Sequence, residues 1–181
     1  MVRLIAAVAV SALLWVQGAT AQAQESPLDR AMQANPDRFE ARMLDLVAGF
    51  GGPDGLTRDG IAAHVALERA AARAGAMRRL LAMDLDADGA VQRDELRAVQ
   101  QAASAGARGR MERQFAAADA DGDGLVSAEE IAADGKAAGL RALGEEEEAQ
   151  VFATLTLDAD GDGALTADEL RAAIARSASG N

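Results

Sequence analysis

The sequence predicts an all-α protein of four helix-loop-helix units, and three observations carry that reading. A twelve-residue acidic pattern occurs three times along the chain. Between the loops, apolar residues recur at helical spacing, as in Phe39, Met43, Leu46, Val47 and Phe50. Glycines 55, 89, 124 and 163 follow one another at steps of 34, 35 and 39 residues, the period of a single repeated unit.

The clearest copy of the acidic pattern runs from Asp119 to Glu130. Carboxylates occupy its first, third, fifth and twelfth places (Asp119, Asp121, Asp123, Glu130), and Gly124 occupies the sixth. This spacing suits a hard cation that takes six to eight oxygen ligands, provided the chain curls around it. Gly124 supplies the backbone freedom for the curl. Leu125 would offer its carbonyl at place seven, Ser127 would bind directly or through water at place nine, and Glu130 would close the shell with both oxygens. In a second copy Asp84, Asp86, Asp88, Ala90, Gln92 and Glu95 fill the equivalent ligand places; in a third, Asp158, Asp160, Asp162, Ala164, Thr166 and Glu169 do so. Each copy has an aliphatic residue at place eight (Val91, Val126, Leu165) and another after the closing Glu (Leu96, Ile131, Leu170). Apolar residues there let two loops pair by a short strand and let the exit helices pack inward.

These residues resemble the loops of the EF-hand family, and the resemblance covers most of the chain after about residue 37. It implies a calmodulin-like arrangement of four hands in two pairs, with about three Ca²⁺ ions bound. The first pair is expected over residues 37–105, with a degenerate hand at 38–70 and an active one at 76–104. The second pair is expected over 106–177, with active hands at 110–135 and 145–176. The first hand is read as degenerate because, with Gly55 at place six, places one, three and twelve fall on Phe50, Gly52 and Ile61, none of which binds a cation.

Taken in order, the chain begins with a targeting segment over residues 1–23. Arg3 gives a positive start, Leu4 to Val16 is an apolar run, and Ala19-Thr-Ala and Ala21-Gln-Ala are small-x-small cleavage signatures. The run is shorter than the roughly 20 residues a membrane span needs, so no stable anchor is expected after cleavage. Residues 24–36, with Pro27 and Pro36, read as a flexible leader. A helix then reaches Phe50. Helices are expected over 62–73 and 76–83 with a break at Gly75, and over 93–103. Gly106 and Gly109 mark a joint before the next helix, which runs down through Phe115. A short helix over 128–134 stops near Gly135, and 136–144 forms a link. Helices over 145–157 and 167–176 complete the repeat, and Glu145 to Glu148 suit a helix start.

Composition narrows the function. There are 18 Lys and Arg against 29 Asp and Glu, a net charge of -11, and no cysteine. The loops place twelve carboxylates at ligand positions, enough to account for the whole excess. Such a balance argues against a nucleic-acid partner, which needs a basic surface. No disulfide can form despite the expected export. The Ala- and Arg-rich usage points to a bacterial chain, hence a periplasmic or secreted one. His64, the only histidine, lies in an apolar-rich helix with no second histidine or cysteine to join, and reads as packing. Met32, Met43, Met77, Met83 and Met111 read as core filler rather than as a pliable partner groove.

The functional expectation is a secreted Ca²⁺-binding protein acting as a buffer or calcium-stabilised module. The alternative is a calcium-gated protein that opens an apolar groove for a protein partner. A lanthanide-binding variant is disfavoured: such loops carry proline at place two and aspartate at place nine, where this chain has Leu85, Ala120 and Ala159, and Gln92, Ser127 and Thr166. An enzyme is not expected, since no nucleophile-base set is present.

Overall fold

The computed structural model describes residues 26–179. The targeting segment expected over residues 1–23 lies outside them. Among the described residues no helix is long and apolar enough to cross a membrane.

Helices α1 (Pro27–Ala34) and α2 (Pro36–Phe50) come first. Residues 24–36 were expected to be flexible, but most of them form α1. Ser26 and Asp29 cap it reciprocally: the Asp29 N–H donates to Ser26 Oγ at 3.1 Å, and the Ser26 N–H to Asp29 Oδ2 at 3.2 Å. Pro27 and Pro36 each stand in a first helical turn, where a missing N–H costs nothing. Leu28 and Met32 anchor α1 in the core.

Strand β1 (Leu56–Thr57) leads into α3 (Arg58–Leu81), β2 (Val91–Gln92) into α4 (Arg93–Gln101), and α5 (Ala105–Ala118) into β3 (Leu125–Val126). Helix α6 (Ala128–Ala142), α7 (Glu145–Ala153), a 3₁₀ turn (Thr154–Leu157), β4 (Ala164–Leu165) and α8 (Ala167–Ala178) follow. The helix break expected at Gly75 is absent, and α3 runs through it for 24 residues. A mid-helix glycine costs only about 1 kcal/mol relative to alanine, and the Ala-rich flanks sustain the helix. Nor does Gly135 stop α6. Gly135 and Gly139 instead form the notch through which α6 packs antiparallel on α3: a Cβ at Gly135 would lie 2.7 Å from Met77 Cγ, and one at Gly139 would lie 3.1 Å from the Arg69 carbonyl oxygen. Gly106 and Gly109 likewise lie inside α5 rather than at a joint.

The strand pairing differs from the sequential pairs expected over 37–105 and 106–177. β1 pairs antiparallel with β4, and β2 with β3. The first loop therefore joins the fourth and the second joins the third. The cause is the unbroken α3. At 1.5 Å per residue its 24 residues span about 36 Å, which holds loops 1 and 2 far beyond the roughly 5 Å that strand pairing needs.

Two cores follow from this topology. Leu80, Met83, Val91, Leu96, Phe115, Val126 and Ile131 fill the inner pair. The outer pair is filled by residues from both ends of the chain, among them Phe39, Met43, Leu56, Ile61, Leu165 and Leu170. Met32, Met43 and Met83 are buried, and Met77 and Met111 pack against the inner cluster. Arg69 ties α3 to the start of α7, donating to the Leu143 carbonyl at 2.9 Å and pairing with Glu148 at 2.7 Å.

Candidate metal centres

Strand register corrects the frame of the first loop. Leu56 faces Leu165, and Val91 faces Val126. All four are fully buried, so Leu56 holds place eight. The next residues (Thr57, Gln92, Ser127, Thr166) each stand at the N-cap of an exit helix. Gly55 is therefore at place seven, not six, and Gly60, not Ile61, is at place twelve. Places one and three become Gly49 and Gly51 rather than Phe50 and Gly52. No carboxylate reaches any of these places. Gly60 is also required sterically, because a Cβ there would fall 2.4 Å from the Phe50 carbonyl oxygen. Loop 1 closes on its own backbone, through reciprocal bonds between Gly52 and Gly55 at 2.8 and 3.2 Å.

The other three loops each gather carboxylates from places one, three and twelve: Asp84, Asp86 and Glu95; Asp119, Asp121 and Glu130; Asp158, Asp160 and Glu169. In each trio the oxygens lie within 4.8 Å of one another. Oxygens on opposite sides of a Ca²⁺ ion stand about 4.6–5.2 Å apart at ordinary bond lengths of about 2.3–2.6 Å, so the spacing fits. The side-chain donors gathered are all oxygen, which suits a hard cation and not a thiolate- or imidazole-seeking one.

Each closing glutamate spans its loop. Glu95 accepts from the N–H groups of Leu85 at 2.6 Å and Gln92 at 2.8 Å. Glu130 accepts from those of Ala120 and Ser127 at 2.7 and 2.9 Å, and Glu169 from those of Ala159 and Thr166 at 2.9 and 3.0 Å. These bonds favour the ionised form. The Gln92 N–H is the main influence holding the Glu95 carboxyl below its usual range, and the Ser127 N–H is the main one for Glu130. Glu169 falls furthest, to about 2, led by the Thr166 hydroxyl, which donates to it at 2.7 Å. A cation would thus meet carboxylates that are already charged.

The remaining ligand candidates are placed differently. Asp88, Asp123 and Asp162 each accept, at 2.8 Å, from the N–H two residues on, which belongs to Ala90, Leu125 and Ala164 in turn. Ser127 and Thr166 cap their helices by accepting from the Glu130 and Glu169 N–H groups at 3.3 and 3.2 Å, so both hydroxyls are engaged. Gln92 makes no side-chain capping bond.

Loop 2 is unlike the other two at place four. Gly122 and Gly161 adopt φ of +76° and donate to Asp119 Oδ1 and Asp158 Oδ1, both at 2.8 Å. Ala87 has φ +62°, the one positive-φ residue besides glycine among those described. Asp84 Oδ1, the counterpart acceptor, is buried with no hydrogen-bond partner. A buried carboxylate oxygen left unpaired is costly, and a cation within the trio is what would satisfy it.

Arg58 and Arg93 were not identified from the sequence. Each opens the exit helix of its loop. The Arg93 guanidinium lies 4.3 Å above the Phe115 ring on α5, and that of Arg58 lies 4.8 Å above the Phe152 ring on α7. The equivalent positions in loops 3 and 4 are Ala128 and Ala167. His64 makes an edge-on contact with Phe50 at 4.9 Å and joins none of the carboxylate trios.

The geometry defines a helical protein with three acidic, all-oxygen loops of the kind that hold hard cations. Residues 78–100, 111–133 and 156–174 match the family model described as EF hand, and each match spans one carboxylate trio. The three matches support an EF-hand calcium-binding family. No curated protein matches the chain, and no solved structure does.

Proposed function

We propose that the protein is an exported Ca²⁺ binder with three working loops, acting as a buffer or a calcium-stabilised module and not as an enzyme. The observation that carries this reading is the in-register trio of carboxylates in each of loops 2, 3 and 4, together with the unpartnered Asp84 Oδ1. When bound, Ca²⁺ would supply the positive charge that three converging carboxylates lack. Asp84, Asp86 and Glu95, and their counterparts in loops 3 and 4, would hold it. Asp88, Asp123 and Asp162 at place five, the Ala90, Leu125 and Ala164 carbonyls and the ninth-place side chains complete the proposed ligand set.

The burial of Met43, Met83 and Phe115, and the seating of α1 over α7 and α8, favour a module with its apolar faces covered over a calcium-gated groove. Export rests on the sequence of residues 1–23.

The test is calorimetric calcium titration of chelator-stripped protein, with circular dichroism and hydrophobic-dye binding measured before and after. Three ions bound without new dye binding is the expected result. A strong rise in dye binding would favour the gated reading, and no binding at millimolar calcium would overturn the proposal.

A further inference from the structure

We propose that Arg93 is a positioning residue that couples loops 2 and 3, so that these two sites fill cooperatively while loop 4 fills on its own. The inference rests on the calcium-binding reading above.

Arg93 is the first residue of α4, and Glu95, which closes loop 2, lies in the same helical turn. The Arg93 side chain leaves its own hand and grips the helix entering the next one at two points, beside Gly124. Its guanidinium covers the Phe115 ring and pairs with Glu112, both on α5, the helix entering loop 3. Its Cγ would lie 3.6 Å from a Cβ built at Gly124, the sixth place of loop 3. Holding Glu95 on an ion fixes the turn that carries Arg93, and Arg93 fixes the helix that enters loop 3. The β2–β3 ribbon joins the same two loops through Val91 and Val126. A two-state element biased from both ends is what linkage between sites requires.

The outer pair has the same strap but a different partner. Arg58 reaches Phe152 from a hand that holds no carboxylate trio, and β1 pairs with β4. Loop 4 therefore leans on a loop that has no ion to gain or lose. The strap there can set the affinity of loop 4 but cannot link it to a second site.

Calcium titrations of two single-site knockouts separate these cases. Glu169→Gln leaves loops 2 and 3, and its two-ion isotherm should be cooperative, with the first ion raising affinity for the second by about fivefold or more. Glu95→Gln leaves loops 3 and 4, and its two ions should bind independently. Arg93→Met in the Glu169→Gln background should keep two ions and most of the aliphatic stem while lowering the cooperativity to what the β2–β3 ribbon alone supplies, and Arg93→Lys should restore part of the loss. Glu112→Gln should weaken coupling in the same direction, which keeps the test decisive if Arg93→Met folds poorly. The calcium-free melting temperature of each variant gives the readout of a merely structural role, which would move without changing the ratio of the two constants. Independent binding in Glu169→Gln, or cooperativity untouched by both Arg93→Met and Glu112→Gln, would overturn the inference. Absence of any calcium binding by the wild-type protein would instead sink the functional reading beneath it.

Discussion

Leu56 and Leu165 lie opposite each other across a two-residue antiparallel ribbon, and both are fully buried. One belongs to a loop without ion ligands and the other to the last acidic loop. Burying two such side chains contributes about 1.5–3 kcal/mol each, so loop 1 earns its place by packing. The closing carboxylate it lacks is lacking for a physical reason, since Gly60 presses against the end of α2.

That close approach bears on attempts to repair the loop. Gly60→Glu restores the closing carboxylate on paper, yet its Cβ would sit 2.4 Å from the Phe50 carbonyl oxygen. The expected outcome is three ions bound as before and a loss of about 1–3 kcal/mol of stability from overpacking. Calorimetry and thermal melting report the two quantities.

Glu130 holds loop 3 across its full width, accepting from both Ala120 and Ser127. Glu130→Gln is expected to lower the stoichiometry measured by calorimetry from three ions to two. Asp54→Ala, in the exposed turn of loop 1, is expected to leave all three ions bound.

Ala87 stands where loops 3 and 4 use glycine, and its φ of +62° carries strain. For an L side chain this conformation costs roughly 1–2 kcal/mol, partly offset by the entropy glycine brings to the unfolded chain. Ala87→Gly is expected to tighten loop 2 a few-fold, read from the isotherm of a variant in which loops 3 and 4 are silenced.

Acid should act on loop 4 later than on an ordinary carboxylate. The folded Glu169 value, about 2, lies below the usual 4.5, so its contribution to calcium-free stability is present above pH 4.5 and disappears as pH falls toward 2. Thr166→Val removes the leading cause of the shift. The Glu169 carboxyl, followed by carbon-detected NMR in the calcium-free protein, should then titrate closer to 4.5, and acid unfolding should begin at higher pH.

The acidic loops were legible because their chemistry is local: twelve consecutive residues hold both the ligands and the bend. Loop pairing was not, because it depends on whether a helix continues. Gly75 and Gly135 read as stops when taken alone, yet α3 absorbs the first cheaply and α6 uses the second to approach α3. Pro27 and Pro36 misled in the same way, since a proline that ends one helix can also begin the next. The frame of loop 1 slipped by one residue because glycine served as the ruler. The better marker is a buried aliphatic residue followed by an N-cap, as in Leu56-Thr57. Measured from place eight, the units recur at steps of 35, 35 and 39 residues. The Arg93–Phe115 and Arg58–Phe152 contacts left no local trace, because the partners are distant in sequence.

The nesting of one loop pair inside the other orders events during synthesis. Val91 meets Val126 after a short stretch of chain, so the inner pair closes from local contacts at a small entropic cost. Leu56 must wait until Leu165 has left the ribosome, 39 residues after Val126 and so roughly 2–8 s later at about 5–20 residues per second. Throughout that interval the nascent chain carries a finished middle between two unfinished ends.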